Sequence, residues 1–189
     1  MKPAVPERGR TSERGALILS FGDKRPDLGE RVFLAPSADI IGQVTLAEDS
    51  SVFFQCVLRA DINSISVGAR SNIQDHTTVH VASDLGTAIG SDVSIGHGCT
   101  IHACTIGDRV LVGMGSIIMD GTKVGDDCLI AAGSLLSKGK TFDAGSLIMG
   151  NPAKVTRKLS AEEIAGLAKL ADKYVHVKDV YLNARAWPG

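Results

Sequence analysis

The amino-acid sequence predicts an all-β fold, a parallel β-helix whose short strands close triangular turns and stack into a prism, with one α-helix after it. Three observations carry this. Between Val67 and Ile148 a large apolar residue recurs every six positions, save for a longer step after Val79 and a five-residue step from Ile101 to Ile106: Val67, Ile73, Val79; Ile89, Ile95, Ile101; then Ile106, Val112, Ile118, Val124, Ile130, Leu136, Phe142 and Ile148. Four places after most of these stands a small residue (Ser71, Thr77, Ser83, Val93, Cys99, Val110, Ser116, Thr122, Cys128, Ser134, Ser146), and Gly often follows directly, as at Gly68, Gly90, Gly96, Gly107, Gly113 and Gly125. Aromatic residues make up only 4% of the chain against 21 glycines, which suits a thin repetitive core better than a conventional globule. A period of six fits neither a helix face, near 3.6, nor one long strand, at 2. It fits a strand plus a turn, three of which close a rung, with rungs stacked about 4.8 Å apart.

Hexapeptide repeats of this kind resemble those of the left-handed parallel β-helix, a fold that is usually trimeric; the handedness is implied by that resemblance and not by the period. Residues 1–14 are polar, without the apolar stretch of a signal peptide, and read as a tail. The β-helix domain is expected over 15–155, opening on a strand or cap at 15–35. From Pro36 to Ser66 the register is loose, which predicts a bulge near Arg59 and Asp61; bulges gather near functional sites. Gly150-Asn-Pro-Ala-Lys154 ends the prism, because Pro152 has no N–H for another ladder. Residues 156–189 form a helix and tail. Ser160-Ala-Glu-Glu163 reads as a capping box, and Ile164, Leu167, Ala168, Ala171, Tyr174 and Val175 supply a face that packs back on the prism.

A net charge of -1 gives no reason to expect nucleic acid or an anionic membrane as partner, and no apolar run approaches the ~20 residues of a membrane span. The cysteines at 56, 99, 104 and 128 have no metal or redox spacing. Cys99 and Cys128 occupy the small inward position, as core thiols, and a reducing cytoplasm is the expected compartment.

The five histidines fall on this lattice at informative places. With three sixes per rung, His80 and His102 are each the second residue of units on the same side, 22 residues apart: one 18-residue rung plus a four-residue insertion near Asp84–Ala88. They therefore stack. His97 belongs to a different side and points away from them within one chain; a trimer could bring it against the pair of a neighbour. Three neutral imidazoles with an open fourth position are a catalytic-zinc arrangement, in which the pKa of bound water falls from ~16 to ~7 and hydroxide becomes the nucleophile. Imidazole ligands also accept Fe2+, Co2+ or Ni2+. The alternative is three surface histidines with ordinary hydrogen bonds. Asp75 lies one rung below His97 on the same side, beside Gln74 and Asn72, and such groups can orient a hydroxide and hold imidazole N–H groups. Arg59 and Asp61 lie about a rung earlier, as a structural salt bridge, a catalytic pair, or both.

Arg59-Ala-Asp61, Gly68-Ala-Arg-Ser-Asn72-Ile-Gln74-Asp75, His80, Ile95-Gly-His97-Gly-Cys-Thr-Ile-His102 and Val112-Gly-Met-Gly115 together resemble the gamma-class carbonic anhydrases over about 30–155, with a fainter match in the helix. The resemblance implies reversible hydration of CO2 to bicarbonate by a zinc-bound hydroxide at the interfaces of a homotrimer. It implies His80, His97 and His102 as metal ligands, His97 coming from the neighbouring subunit, and Gln74 as the group that orients the hydroxide. Asn72 would share that pocket, Arg59 and Asp61 would form an intersubunit ion pair with Asp75 near it, and Tyr174 would be a site residue.

The sequence departs from the founding type of that family in three places. Ile62 stands where the founding type has Glu after Arg-x-Asp. The loop after His80 is only Val81-Ala-Ser-Asp-Leu-Gly-Thr-Ala88, with Asp84 as its one acid, and His176 replaces the Asn of Tyr-x-Asn. Both usual acidic proton carriers are thus missing, and His76 or His176 is the candidate relay, since His titrates near neutrality. Three alternatives stay open on the same scaffold: a metal-dependent hydrolase such as a thioesterase, a hexapeptide acyltransferase, and a structural protein with a vestigial metal site.

Overall fold

The computed structural model describes residues 15–184; the expected tail at 1–14 and the last five residues lie outside them. The chain winds into a left-handed parallel β-helix of about seven turns, and its strands stack in register on three faces. The first face aligns Leu46, Val67, Ile89, Ile106, Val124 and Phe142. The second aligns Leu34, Val52, Ile73, Ile95, Val112, Ile130 and Ile148. The third aligns Ile40, Leu58, Val79, Ile101, Ile118 and Leu136. These residues are the large positions of the repeat, and most are wholly buried. Burial of each such aliphatic side chain stabilises by about 1.5–3 kcal/mol, and the stack repeats that gain at every rung.

The small positions also have a physical reason. Ser116, Ser134 and Ser146 are buried at the corners, where each hydroxyl donates to the carbonyl three residues earlier: Gly113 (2.7 Å), Ala131 (2.7 Å) and Asp143 (2.6 Å). A larger side chain there would collide with the opposite ladder, and an unbonded hydroxyl would pay its desolvation cost. Cys99 and Cys128 take the same place and, like Cys56 and Cys104, are free and buried; burial pushes the Cys56 and Cys104 thiols up to about 12.

Residues 15–35 already form strands of the coil: Leu17–Leu19 and Asp27–Leu28 pair with Asp39–Leu46, and Phe33–Leu34 pairs with Ser51–Val52, all in parallel. The expected bulge is present. Along the strand Val57–Val67, Ala60 pairs with Gly42 and Ile65 with Val44, so Asp61 to Ser64 bulge out opposite a single residue, Gln43. At its far end the prism does more than stop. After Asn151-Pro152 the chain reverses into a strand, Ala153–Lys158, antiparallel to Ser146–Gly150, which the sequence reading missed because it lacks the six-residue pattern.

The helix Ala161–Asn183 begins at the predicted capping box: Glu163 N–H donates to Ser160 Oγ (3.2 Å), and Ser160 N–H to Glu163 Oε2 (2.8 Å). Arg157 adds two bonds to the same carboxylate, both 2.7 Å. The Arg157 hydrogen bond foremost, and then the Ser160 N–H, lower the Glu163 carboxyl to about 2. Its folded value is depressed, so its stabilisation is complete above the ordinary value of about 4.5 and is lost as pH falls toward 2. Glu163→Gln is therefore expected to flatten the pH dependence of helix stability between pH 4.5 and 2, as followed by circular dichroism.

The helix packs back on the prism, along a stripe somewhat rotated from the expected one. Leu167, Ala171 and Lys178 are buried, and Tyr174, Val177 and Tyr181 pack against Phe33, Ala35 and Phe53. Tyr181 stacks on Phe33 with ring centroids 5.1 Å apart, and Tyr174 meets Phe53 edge-on at 5.8 Å. Lys178 is tolerated on this stripe because its ammonium lies 2.6 Å from both Asp49 and Asp179.

Candidate metal centre

His80 and His102 stand side by side on adjacent rungs of the third face, directly paired in the ladder Thr78–His80 against Thr100–His102. Their rings are 5.2 Å apart between centroids, and His80 Nδ1 lies 3.1 Å from His102 Nε2. The outer nitrogens meet carboxylates: His80 Nε2–H donates to Asp61 Oδ1 (3.2 Å) and His102 Nδ1–H to Asp120 Oδ1 (2.6 Å). The bulge at Asp61–Ser64 is what lets Asp61 reach His80. Arg59 Nη1 donates to Asp61 Oδ2 within the same chain, and Lys24 Nζ donates to the Asp61 carbonyl (2.7 Å). Partial burial pushes the Asp61 carboxyl up, but the hydrogen bonds from Arg59 and His80 outweigh it and the net shift is downward. The His102 hydrogen bond lowers Asp120 likewise.

His97 occupies the corner that precedes the strand Thr100–His102, whereas His102 closes that strand. The turn at His97–Gly98 and the strand Thr100–His102 lie between the two rings and set them at opposite ends of one side of the rung, so one chain does not bring all three rings together. Among the described residues no group of three His, Cys, Asp or Glu within a single chain is placed to hold a metal ion. His97 is half-exposed, and its Nδ1–H donates to Asp75 Oδ2 (2.8 Å); the other Asp75 oxygen accepts from Phe54 N–H (3.1 Å). This fixes the His97 tautomer and leaves Nε2 as a lone-pair donor.

A polar ladder adjoins this edge. Tyr174 sets its hydroxyl beside the Gln74 amide, Gln74 Nε2 donates to Asn72 Oδ1 (3.1 Å), and Asn72 Nδ2 donates to Ser94 Oγ (2.8 Å). Asn72 lies on a strand paired with Ser94, because the strand begins one residue before the large position. Burial raises the Tyr174 hydroxyl, the nearby Asp75 charge raises it further, and the Gln74 bond opposes both. His76 fills a corner at φ 62 with an exposed side chain, and His176 is exposed on the helix.

The predicted residues thus fall into two groups. His80, His102, Arg59 and Asp61 stand at one edge of the third face; His97 and Asp75 stand at the corner that opens it, with Gln74 and Asn72 leading up to that corner along the second face and Tyr174 on the helix that packs there. Asp120 was missed. Its signal was available, since it follows His102 by one 18-residue rung.

The donor chemistry fits a metal. Carboxylates only accept, so both outer nitrogens of the stacked pair carry hydrogen, and the inner contact needs one further N–H between two lone pairs. Two imidazole nitrogens on tetrahedral zinc, each at ~2.0–2.1 Å, stand about 3.3 Å apart; here they stand 3.1 Å apart, so a dication can take the place of that one proton.

A family model for "Bacterial transferase hexapeptide (six repeats)" matches residues 103–138. "Gamma carbonic anhydrase 2, mitochondrial" of Arabidopsis thaliana is 41% identical over 176 residues, 90% of this chain and 63% of that protein. "Carbonic anhydrase" of Geobacillus kaustophilus is 33% identical over 165 residues, 87% of this chain and 91% of its own length. The chain belongs to the gamma carbonic anhydrase-like family of hexapeptide-repeat proteins. It spans somewhat less than two thirds of the Arabidopsis family member. Among solved structures, a hexapeptide transferase family protein from Anaplasma phagocytophilum is 41% identical with a TM-score of 0.84, covering 87% of this chain and 98% of that one.

Proposed function

We propose that the chain is a metal-dependent carbonic anhydrase that works as a homotrimer, hydrating CO2 to bicarbonate and a proton at sites between subunits. The observation that carries this is the division of the site into two complementary halves at opposite edges of one face. In a parallel trimer with this face turned to the threefold axis, each subunit's His97 edge meets a neighbour's His80/His102 edge. The apolar side chains of Met114, Ile117 and Met119, which are exposed in the single chain, lie on and beside that face and would be covered. Arg59, which is half-exposed in one chain, would then stand within reach of a neighbour's carboxylate.

His80 and His102 of one subunit and His97 of the next would hold zinc, with Fe2+ or Co2+ also suited to three imidazoles. The metal, when bound, supplies hydroxide near neutral pH by lowering the pKa of water. The chain's residues do the rest. Asp61, Asp75 and Asp120 each hold one nitrogen of a ligand histidine, which fixes its tautomer and raises its basicity. Gln74, anchored between Tyr174 and Asn72, presents an amide that orients the attacking oxygen, and Asn72 keeps that amide from rotating. Arg59 neutralises Asp61. Ile62 is apolar and the short loop after His80 carries a single acid, Asp84, so the released proton passes to buffer directly or through the exposed His76 or His176. Four buried, unpaired thiols suit a reducing compartment such as the cytoplasm.

The test is stopped-flow CO2 hydration on protein of measured metal content, with an acyl thioester as a second substrate. A rate that scales with bound metal and is absent from the metal-free protein is expected. Bound metal with thioester hydrolysis and no CO2 hydration would replace this reading by a hydrolase.

A further inference from the structure

We propose that Asp120 is a positioning residue that orients His102 for metal uptake, an inference that rests on the metal-site reading above. Asp120 is held in place by backbone alone. Its carbonyl accepts from Gly139 N–H (2.8 Å), and the next residue, Gly121, donates its N–H to Ala103 (2.7 Å), pinning the corner directly over the His102 corner. Gly121 has φ 66, a left-handed turn that glycine adopts freely. The carboxylate therefore arrives beside the imidazole without depending on packing of a long side chain, and its bond to Nδ1 is short at 2.6 Å.

The consequence concerns His102 Nε2. With Nδ1–H given to Asp120, the ring cannot rotate freely, and the proton cannot migrate to Nε2. That nitrogen keeps its lone pair aimed toward His80. Asp61 and Asp75 do the corresponding service for His80 and His97, so each of the three imidazoles has its own carboxylate. A carboxylate so placed also adds electron density to the ring that donates to the metal. Without Asp120, His102 would sample both tautomers and other rotamers, and part of the metal-binding free energy would go to ordering it.

The experiment uses the full chain as its native oligomer, with two variants, Asp120→Ala and Asp120→Asn, and zinc as the probe. Zinc affinity is read by competition with a chromophoric chelator. The loss expected for Asp120→Ala is roughly 10- to 100-fold, the range for outer-shell partners. Asp120→Asn should lie between, because its amide oxygen still accepts the Nδ1–H but carries no charge. On the metal-free protein, 15N NMR of the histidine rings should show His102 as the Nδ1–H tautomer in wild type and a mixture in Asp120→Ala. The melting temperature of the metal-free protein should be unchanged. Equal zinc affinity in wild type and Asp120→Ala would overturn this inference alone, as would a fall in affinity matched by a fall in metal-free stability. A wild-type chain that binds no zinc would overturn the metal-site reading together with it.

Discussion

His97→Ala is expected to abolish the proposed zinc binding and CO2 hydration, although in its own chain His97 stands at the far end of the rung side from His80 and His102. The expected loss of zinc affinity exceeds the roughly 100-fold that an outer-shell change brings, because a ligand is gone and not only its support. The hydration rate falls to background with it, since water without the metal keeps a pKa near 16. The fold should survive, as the His97 side chain is half-exposed and its ring bonds the Asp75 carboxylate at the surface. Metal analysis, circular dichroism and stopped-flow assay of the one preparation check all three statements. His102→Ala is expected to give the same phenotype from the opposite edge of the face.

The second large effect comes from a glycine. Gly42 has φ 78 and pairs with Ala60 where the ladder breaks register. A Cβ added there would stand 2.7 Å from the Ala60 carbonyl carbon and nearer still to its oxygen. Gly42→Ala thus combines a disfavoured backbone conformation with a collision against main chain that cannot move aside. Each contributes on the order of 1–3 kcal/mol. The displaced strand is the one that carries Arg59 and Asp61, so zinc affinity should fall along with stability. Urea denaturation is expected to show a lower midpoint with an unchanged slope. A midpoint within error of wild type would mean that the bulge is far more pliable than its hydrogen bonding suggests.

Much of this architecture could be read in the sequence because a six-residue period admits few other structures. Ile73, Ile95, Val112 and Ile130 fell on one ladder by counting alone, and the same count stacked His80 on His102 and Asp75 beneath His97. The count fails where it is interrupted. Ala153–Lys158 carries no repeat, so its antiparallel pairing was invisible. Nothing in the helix pattern singled out Lys178, whose burial depends on Asp49, a residue far away in sequence, as well as on its neighbour Asp179. An alternating row along one edge of the prism also went unseen: Arg31, Asp49, Arg70, Asp92, Arg109 and Asp127 all take left-handed corner positions. Arg31 pairs with Asp49 (3.0 Å), Arg70 with Asp92 (2.7 Å) and Arg109 with Asp127 (2.6 Å). Helix residues Asp179 and Asp172 reach Arg31 and Arg70. Their spacing is one rung, lengthened by the bulge and by the loop after His80 and one residue short between Asp92 and Arg109, and charged residues draw no attention in a search for apolar periodicity. Asp120 escaped for a related reason. It is informative only as the residue one rung above a histidine already singled out.

The most direct test of a site shared between subunits is complementation between two inactive variants. His97→Ala and His102→Ala chains would be mixed in equal amounts, unfolded and refolded together, and assayed for zinc content and CO2 hydration. With random assortment each interface takes an intact His97 edge from one variant and an intact His102 edge from the other about one time in four, so about one quarter of wild-type zinc and activity should return. No recovery in a mixture that forms mixed trimers would contradict the account, because a site contained within one chain cannot be rebuilt by exchanging neighbours.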